Sequence, residues 1–410
     1  MISTESRAAA AGLQVSAARP AEVKFAIIGA GFAGLGAAIK LLQAGHRDLL
    51  VLERADEAGG TWGDNIYPGC RCDVQSNLYS FSFAPNPDWT STFPAQPELR
   101  SYLNDVAARF GVRRYLRLGC DVTGVRWDET DRLWHITTAH GAVRARYVIA
   151  GVGSLVEPAL PGIPGIDTFT GQVMHSARWD PTWSPAGRRV AVIGTGASAI
   201  QIVPAIQPRV EHLTVFQRTA PYVVPHTARP VAPWRRAAYR YVPGAQSASR
   251  AATYWMRELM VVGFVKRPSI LKKAEAVWKT HMERAVADPV KREKLTPHYD
   301  LGCKRVLPSN DFYPAVAAAN SAWSPRRSPN SRRMPSSAPT VAGTPWTPLS
   351  SPPDSASRTT LRSGRSPAAA ADRSRPPSAR PTWAPSCRAS PTTSSCLAPT
   401  PASATPPSFS

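Results

Sequence analysis

Two glycine-rich turns, each set between an apolar β-type run and a helical pattern, constrain this chain more than any other feature. Residues 23–28 (VKFAII) form a short β-rich run that breaks into Gly29-Ala30-Gly31-Phe32-Ala33-Gly34 and continues with helical spacing from Leu35 to Leu42. After Gly45 a second apolar run, Leu49–Leu52, ends in Glu53. The order is strand, tight turn, helix, strand. In such a unit the first glycine permits the turn, the second lets backbone approach a pyrophosphate, and the third lets helix and strand pack closely. The helix N-terminus adds free N–H groups and positive potential. Glu53, 19 residues after Gly34 and at a strand end, can accept hydrogen bonds from a ribose diol. Gly29, Gly31, Gly34 and Glu53 are therefore expected to hold a dinucleotide.

The same grammar returns at Arg189–Ile193, the turn 194–197, a helix through Ile202 and a strand over 212–216. This turn reads Gly194-Thr195-Gly196-Ala197-Ser198-Ala199, a GxGxxA variant, and its second strand ends in Gln217-Arg218-Thr219 rather than in an acid. An acid there would repel a 2′-phosphate, whereas a guanidinium can bind one bidentately. NADPH is thus favoured over NADH, with Gly194, Gly196, Ala199, Arg218 and Thr219 around it; the bland alternative for Arg218 is a surface arginine. Two such units predict an α/β fold with two Rossmann-like dinucleotide-binding domains, the second unit starting near residue 187.

Between the second unit and Leu301 lies a basic stretch with helical spacing and interleaved aromatics (Trp234, Tyr241, Trp255, Trp278). It reads as a helical insertion over about 230–300 that covers the second domain, in preference to a membrane-surface patch. Residues 256–265 are too short and too interrupted to anchor anything alone. No stretch approaches the ~20 apolar residues of a membrane span, and residues 1–20 lack the apolar run of a secretory signal. The six cysteines form neither a zinc-type CxxC pair nor a disulfide framework, so no metal is expected and a reduced cytoplasmic compartment is the default.

The net charge of +21 is a weak argument for nucleic acid, because +9 of it sits in residues 321–410, with 11 arginines against two acids and 18 of the 41 prolines. Beyond Val316 there is no isoleucine, no tyrosine and one valine, Val341. Such a composition cannot form a packed core, so a disordered tail is expected over 317–410.

Several further motifs carry a resemblance. Gly59-Gly60-Thr61-Trp62, then Tyr67-Pro68-Gly69-Cys70-Arg71-Cys72-Asp73, resemble the FAD-domain signature of flavin-containing Baeyer–Villiger monooxygenases. Residues 76–83 (SNLYSFSF) match the branch that includes 4-hydroxyacetophenone-type enzymes. Phe169-Thr170-Gly171, His175 and Trp179-Asp180 fit the family fingerprint FxGxxxHxxxW(P/D). Leu301-Gly302-Cys303-Lys304-Arg305 and Asn310-Asp311-Phe312-Tyr313 are similar to the segment that places the catalytic arginine. The resemblance covers roughly residues 22–316, in family order.

It implies a flexible segment over 1–21, an incomplete FAD-binding domain over 22–160 and an NADP-binding domain over 161–316. It implies FAD at Gly29, Gly31, Gly34, Glu53, Thr61, Trp62 and Asp73, and adds Lys304 to the NADP ligands. It further implies reduction of FAD by NADPH and a C4a-peroxyflavin that adds to a ketone, the adduct rearranging to an ester or lactone. Arg305 would supply the fixed cation for that negative charge, oriented by Asp73. Phe169, Gly171, His175 and Trp179 are signature residues; His175 and Trp179, at i and i+4, would share a face if their segment is helical. Cys70 and Cys72 occupy positions where the family holds small residues, so packing is their expected role.

The chain departs from the family after the Asn-Asp-Phe-Tyr segment, where relatives continue with an ATGF-like flavin motif. A one-base shift in GC-rich codons makes 340–355 compatible with DGRGHPVDAALFATGF, and 381–407 compatible with a family-like C-terminus. The expectation is a frameshift between about 316 and 321, and a chain of low stability and little activity. Besides ketone oxygenation, the open readings are N- or S-oxygenation of soft nucleophiles and a non-enzymatic nucleotide-binding remnant.

Overall fold

The computed structural model describes residues 21–163, 166, 168–266, 268–325 and 340–342. The first glycine unit opens a six-stranded sheet. Its elements are β1 (Ala21–Ile28), α1 (Phe32–Gln43), β2 (Leu49–Leu52), α2 (Thr61–Asp64), α3 (Gln96–Arg109), β3 (Leu116–Arg117), β4 (Val122–Asp128), β5 (Leu133–Thr138) and β6 (Gly141–Ala150). The strand order is β3-β2-β1-β6-β5-β4. β1 is parallel to both neighbours, with Phe25 beside Leu49 on one side and Tyr147 on the other. In α1 the buried residues Gly34, Leu35, Ala38, Ile39 and Leu42 recur every three or four positions, the stripe a helix needs to lie on a sheet. α3 buries Leu99, Tyr102, Leu103 and Val106 by the same spacing.

The second unit continues with β7 (Val173–His175), β8 (Arg189–Ile193), α4 (Ala199–Ile206), β9 (His212–Gln217) and β10 (Val223–Val224). Then come the helices α5 (Pro233–Tyr241), α6 (Ala245–Lys266), α7 (Pro268–Ala285) and α8 (Pro289–Leu295). The chain returns through β11 (Leu307–Pro308), α9 (Phe312–Ala317), β12 (Ser321–Pro325) and β13 (Thr340–Ala342). Its sheet has the order β12-β9-β8-β13-β7, parallel throughout. One apolar cluster runs from Ile27 and Leu35 through Tyr67 and Trp179 to Val192, Ile202 and Phe312, so the two sheets share a core. A smaller cluster around Ala26, Leu52, Ile136 and Val143 covers the other face of the first sheet.

β12 and β13 correct the expectation that order ends at Val316. Ser321–Pro325 pairs with Leu213 to Gln217, and Thr340–Ala342 lies between β7 and β8. A ladder is made by backbone groups, which Ser and Thr supply as well as valine does. Trp323 also packs edge-on to Phe312, ring centroids 6.3 Å apart. Residues 326–339 and 343–410, on which the low-complexity and frameshift readings mostly rest, lie outside the described residues, as does the segment 1–20.

The insertion is helical, as its spacing predicts, but it covers more than the second domain. α7 packs there: Trp278 lies against Tyr222, and its indole N–H donates to the Tyr313 hydroxyl at 2.8 Å. α5 and α6 instead sit on loops of the first domain. Asn77 donates to the hydroxyls of Tyr239 and Ser249, and Gln246 donates to Asn86 O. Those loops expose carbonyls that only polar side chains can satisfy, which apolar periodicity does not report. Among the described residues β6 has an open edge past Ala145: β5 pairs with 141–145 only, and Tyr147 is 45% exposed. No helix among the described residues is long and apolar enough to cross a membrane.

Candidate functional site

The first glycine turn is held by backbone. Gly29 has φ +96°, and its N–H donates to Leu52 O at 2.7 Å. A Cβ on Gly34 would lie 1.7 Å from Gly29 O, so helix and turn touch. The Gly59-Gly60 turn crosses the first one: a Cβ on Gly60 would lie 2.8 Å from the Gly31 Cα. Two bare backbones thus meet where α1 opens, with no side chain to block an approaching phosphate. Glu53 is buried, its carboxylate accepting from Ala30 N at 2.6 Å and Ala55 N at 2.9 Å. It braces the turn as well as ending β2, a role that spacing alone does not disclose.

Beside Glu53, a cavity of about 510 Å³ opens between Arg54, Ala55, Gly63, Asp64, Asp121, Ala177, Arg178 and Trp179. It lies at the carboxyl end of β2, where sheets of this type take their ligands. Its lining sets two guanidiniums and the Trp179 ring beside the carboxylates of Asp64 and Asp121, and Arg54 is paired with Asp64 at 3.5 Å and with Glu157 at 2.6 Å. Thr61 begins α2 just behind Gly60, and Trp62 is buried with its indole N–H donating to the Tyr79 hydroxyl at 3.2 Å.

The signature segment is not helical. His175 ends β7, a single 3₁₀ turn spans Ser176–Arg178, and Trp179 is extended. The shared helical face expected for His175 and Trp179 is therefore corrected: a strand precedes them and the turn is too short. Nδ1 of His175 accepts from Ala177 N at 3.1 Å, capping that turn, while its buried Nε2 has no partner. Burial first, then the Arg178 charge, lower the His175 pKa below 6.5. Trp179 is buried edge-on to Trp183. Phe169 and Gly171 are half-buried on the approach to β7.

The second turn repeats the first. Gly194 has φ +107°, and its N–H donates to Phe216 O at 2.8 Å. The Thr195 hydroxyl donates to Thr219 O at 3.2 Å, and Gly196 O accepts the Ile200 N–H as α4 begins at the buried Ala199. Arg218 is exposed just past β9, next to Thr219, whose carbonyl accepts from Thr195 of the turn.

The third group joins distant parts of the sequence. Arg305 forms an ion pair and hydrogen bond with Asp73, 232 positions earlier, the carboxylate 20% and the guanidinium 46% exposed. Lys304 lies with Nζ 4.5 Å above the Tyr299 ring. Cys70 and Cys72 are buried, and burial pushes their thiols up to about 11 and about 12. Among the described residues no cluster of three or more His, Cys, Asp or Glu could hold a metal. Sequence reasoning missed Gln201. It accepts from the Tyr67 hydroxyl at 3.0 Å and from Arg71 N at 3.3 Å, and donates to Arg71 O at 3.0 Å. Its only signal was one polar residue in an otherwise apolar helix, AIQIVPAI.

The family profile "Pyridine nucleotide-disulphide oxidoreductase" matches residues 26–242. A Baeyer–Villiger monooxygenase of Streptomyces coelicolor is 50% identical over 298 residues, covering 73% of this chain and 57% of the relative. The chain therefore spans less than two thirds of that protein. The open crystal structure of cyclohexanone monooxygenase superposes with a TM-score of 0.68 at 30% identity, over 79% of this chain and 73% of that one. Cyclohexanone monooxygenase from Rhodococcus sp. Phi1, bound to NADP⁺, gives 0.65 at 32%, over 75% and 65%.

Proposed function

The chain belongs to the flavin-containing Baeyer–Villiger monooxygenase family, and from that premise we propose that it binds FAD and NADPH and inserts one oxygen atom of O₂ beside a ketone carbonyl, giving an ester or lactone. The observation that carries this reading is the Asp73–Arg305 pair. It brings a motif of the first domain and the segment after the insertion to one place.

The turn at Gly29, Gly31 and Gly34, with the α1 N-terminus behind it, is suited to the FAD pyrophosphate, and the cavity beside Glu53 and Arg54 to its nucleoside half. The turn from Gly194 to Ala199 would take NADPH, with Arg218 and Thr219 at the 2′-phosphate. FAD, when bound and reduced by NADPH, supplies the activated oxygen. Arg305 offers a cation to the negative charge that develops on oxygen as it adds to the carbonyl. Asp73 holds the guanidinium in one orientation before substrate arrives, so little reorganisation is needed at the reaction. N- or S-oxygenation would use the same cofactors and has less need of such a pair, because a soft nucleophile attacks the oxygen directly.

A second reading, a nucleotide-binding fragment without turnover, is favoured by the open β6 edge and its exposed Tyr147. One experiment separates all three. The 410-residue chain is incubated with FAD, NADPH and ¹⁸O₂, and with either cyclohexanone or methyl phenyl sulfide, and products are analysed by mass spectrometry. The proposal expects a lactone with one ¹⁸O that is lost in Arg305→Ala. Sulfoxide alone would replace it with the S-oxygenating reading, and no product with FAD retained would establish the fragment.

A further inference from the structure

Helix α6 lies on the first domain by its polar side. Gln246, Ser249, Arg250 and Thr253 share one face and are buried or half-buried, whereas Trp255, Met256 and Leu259 face solvent at 63%, 62% and 71% exposure. Hydrogen bonds rather than apolar burial hold the helix there, and Arg250 is at their centre. One of its guanidinium nitrogens donates to Asn77 O at 2.6 Å, to Ser80 O at 3.2 Å and to Leu78 O at 3.4 Å. The three carbonyls belong to one short stretch of loop, in which the Leu78 and Tyr79 N–H groups donate to Gln75 O. Carbonyls that converge on one point carry negative potential, which a half-buried cation with several N–H groups answers.

The same stretch of loop carries Tyr79. Its hydroxyl accepts the Trp62 indole N–H at 3.2 Å, and its ring packs edge-on against Trp62 and Phe32, with centroids 5.5 and 5.1 Å away. Phe32 opens α1 just after Gly31, and Trp62 stands on α2 just after Gly60, the two glycines whose turns cross. One side chain thus touches the helix that follows each turn. Burial raises the Tyr79 pKa and the Trp62 bond lowers it; Cys72, Asp73 and Arg305 also act on it, so the hydroxyl stands within electrostatic reach of the Asp73–Arg305 pair. Taking these turns as the FAD site, as proposed above, we propose that Arg250 is a positioning residue of that site: by gathering the carbonyls of 77–80 it holds Tyr79 against Trp62 and Phe32 and so braces the two crossing turns. The insertion of the second domain thereby acts on the first without any of its side chains touching the flavin turns.

The test uses the 410-residue chain labelled with ¹⁵N-tryptophan, first without FAD, so that it holds whatever the chain oxygenates. The Trp62 and Trp278 indole signals are assigned by their loss in Trp62→Phe and Trp278→Phe. Tyr79→Phe, which keeps the ring and removes the hydroxyl, should move the Trp62 signal. Arg250→Ala should move it in the same direction while the Trp278 signal, from α7, stays in place. Circular dichroism checks folding, and Arg250→Lys, which keeps the charge and loses the planar fork, carries the comparison if the alanine variant does not fold. A Trp62 signal that stays put in the folded Arg250 variant overturns the proposal, and so does one that moves together with Trp278, which would make Arg250 a general anchor. With FAD, NADPH and ketone, the same variant should lose kcat by roughly ten- to a hundredfold with the KM for NADPH unchanged. A rise in that KM at unchanged kcat overturns the proposal too, whereas an inactive unmodified chain counts against the oxygenase reading and leaves the indole comparison to decide the role of Arg250.

Discussion

Gln201 and Arg71 exchange hydrogen bonds across the junction of the two domains: the Arg71 N–H donates to Oε1 at 3.3 Å and Nε2 donates to Arg71 O at 3.0 Å. The Tyr67 hydroxyl donates to the same Oε1 at 3.0 Å. Gln201 stands on α4, the helix that the second glycine turn opens, and residues 67–71 lead directly to Asp73. The turn expected to hold one nucleotide is thereby tied by a single side chain to the loop that positions Arg305. Gly69 makes the approach close, since a Cβ there would lie 2.7 Å from Gln201 O and its φ is +81°.

Gln201→Ala should therefore lower stability by about 1–3 kcal/mol, because it strands a buried tyrosine hydroxyl and a backbone N–H. Urea unfolding at fixed FAD measures this. A loss below about 0.5 kcal/mol would mean that water replaces the amide at no cost.

Gly34→Ala should abolish FAD retention. The methyl would sit 1.7 Å from Gly29 O, and the obstacle is backbone that cannot swing aside. Absorbance near 450 nm after gel filtration reads the bound flavin; retention equal to the unmodified chain would refute the placement of α1 on the turn.

Arg305→Ala should reduce ketone turnover by about 10²–10³-fold with FAD content unchanged, the range for removal of a fixed charge-stabilising group. Asp73→Asn should fall between, with the loss in kcat rather than in the KM for NADPH, since it disturbs only the arginine's orientation. Equal kcat in Asp73→Asn and the unmodified chain would remove the pair from the reaction.

Arg218→Ala should raise the KM for NADPH roughly tenfold or more, the worth of one charge-assisted contact, and leave that for NADH unchanged. Flavin reduction followed in a stopped-flow instrument with each nucleotide gives both values. A parallel rise for the two would make Arg218 structural.

His175 sets a pH dependence. Its imidazole is buried neutral with a pKa below 6.5, and that of His226 is lowered by burial and then by Arg71. The unfolded chain takes up protons as pH falls through 6.5, whereas the folded chain does so only at lower pH. Stability from these groups is thus complete above 6.5 and lost below it. The Tm should drop between about pH 7.5 and 5.5, and His175→Gln should flatten part of that slope. A Tm rising over that interval would exclude neutral burial.

The two βαβ units were legible because their information is local. Glycine at fixed offsets, a period of two turning to 3.6, and the residue at the second strand's end all lie within about 30 residues of one another. Strands 49–52 and 189–193 fall where the apolar runs place them. Misreadings arose where partners are remote or where backbone decides. β12 and β13 pair through amides whatever their side chains, and His175 and Trp179 share a spacing that suits a helix but lie on a strand end and a single turn.

By itself, the sequence determined that this chain builds two nucleotide-type turns, and which end of each strand they occupy, because sterics at glycine act between near neighbours. Only the tertiary structure decided that Asp73 meets Arg305, that Gln201 locks the two domains, and that α6 turns its apolar face outward. Each of those depends on where carbonyls and side chains more than 100 positions away come to rest, and no local period encodes that.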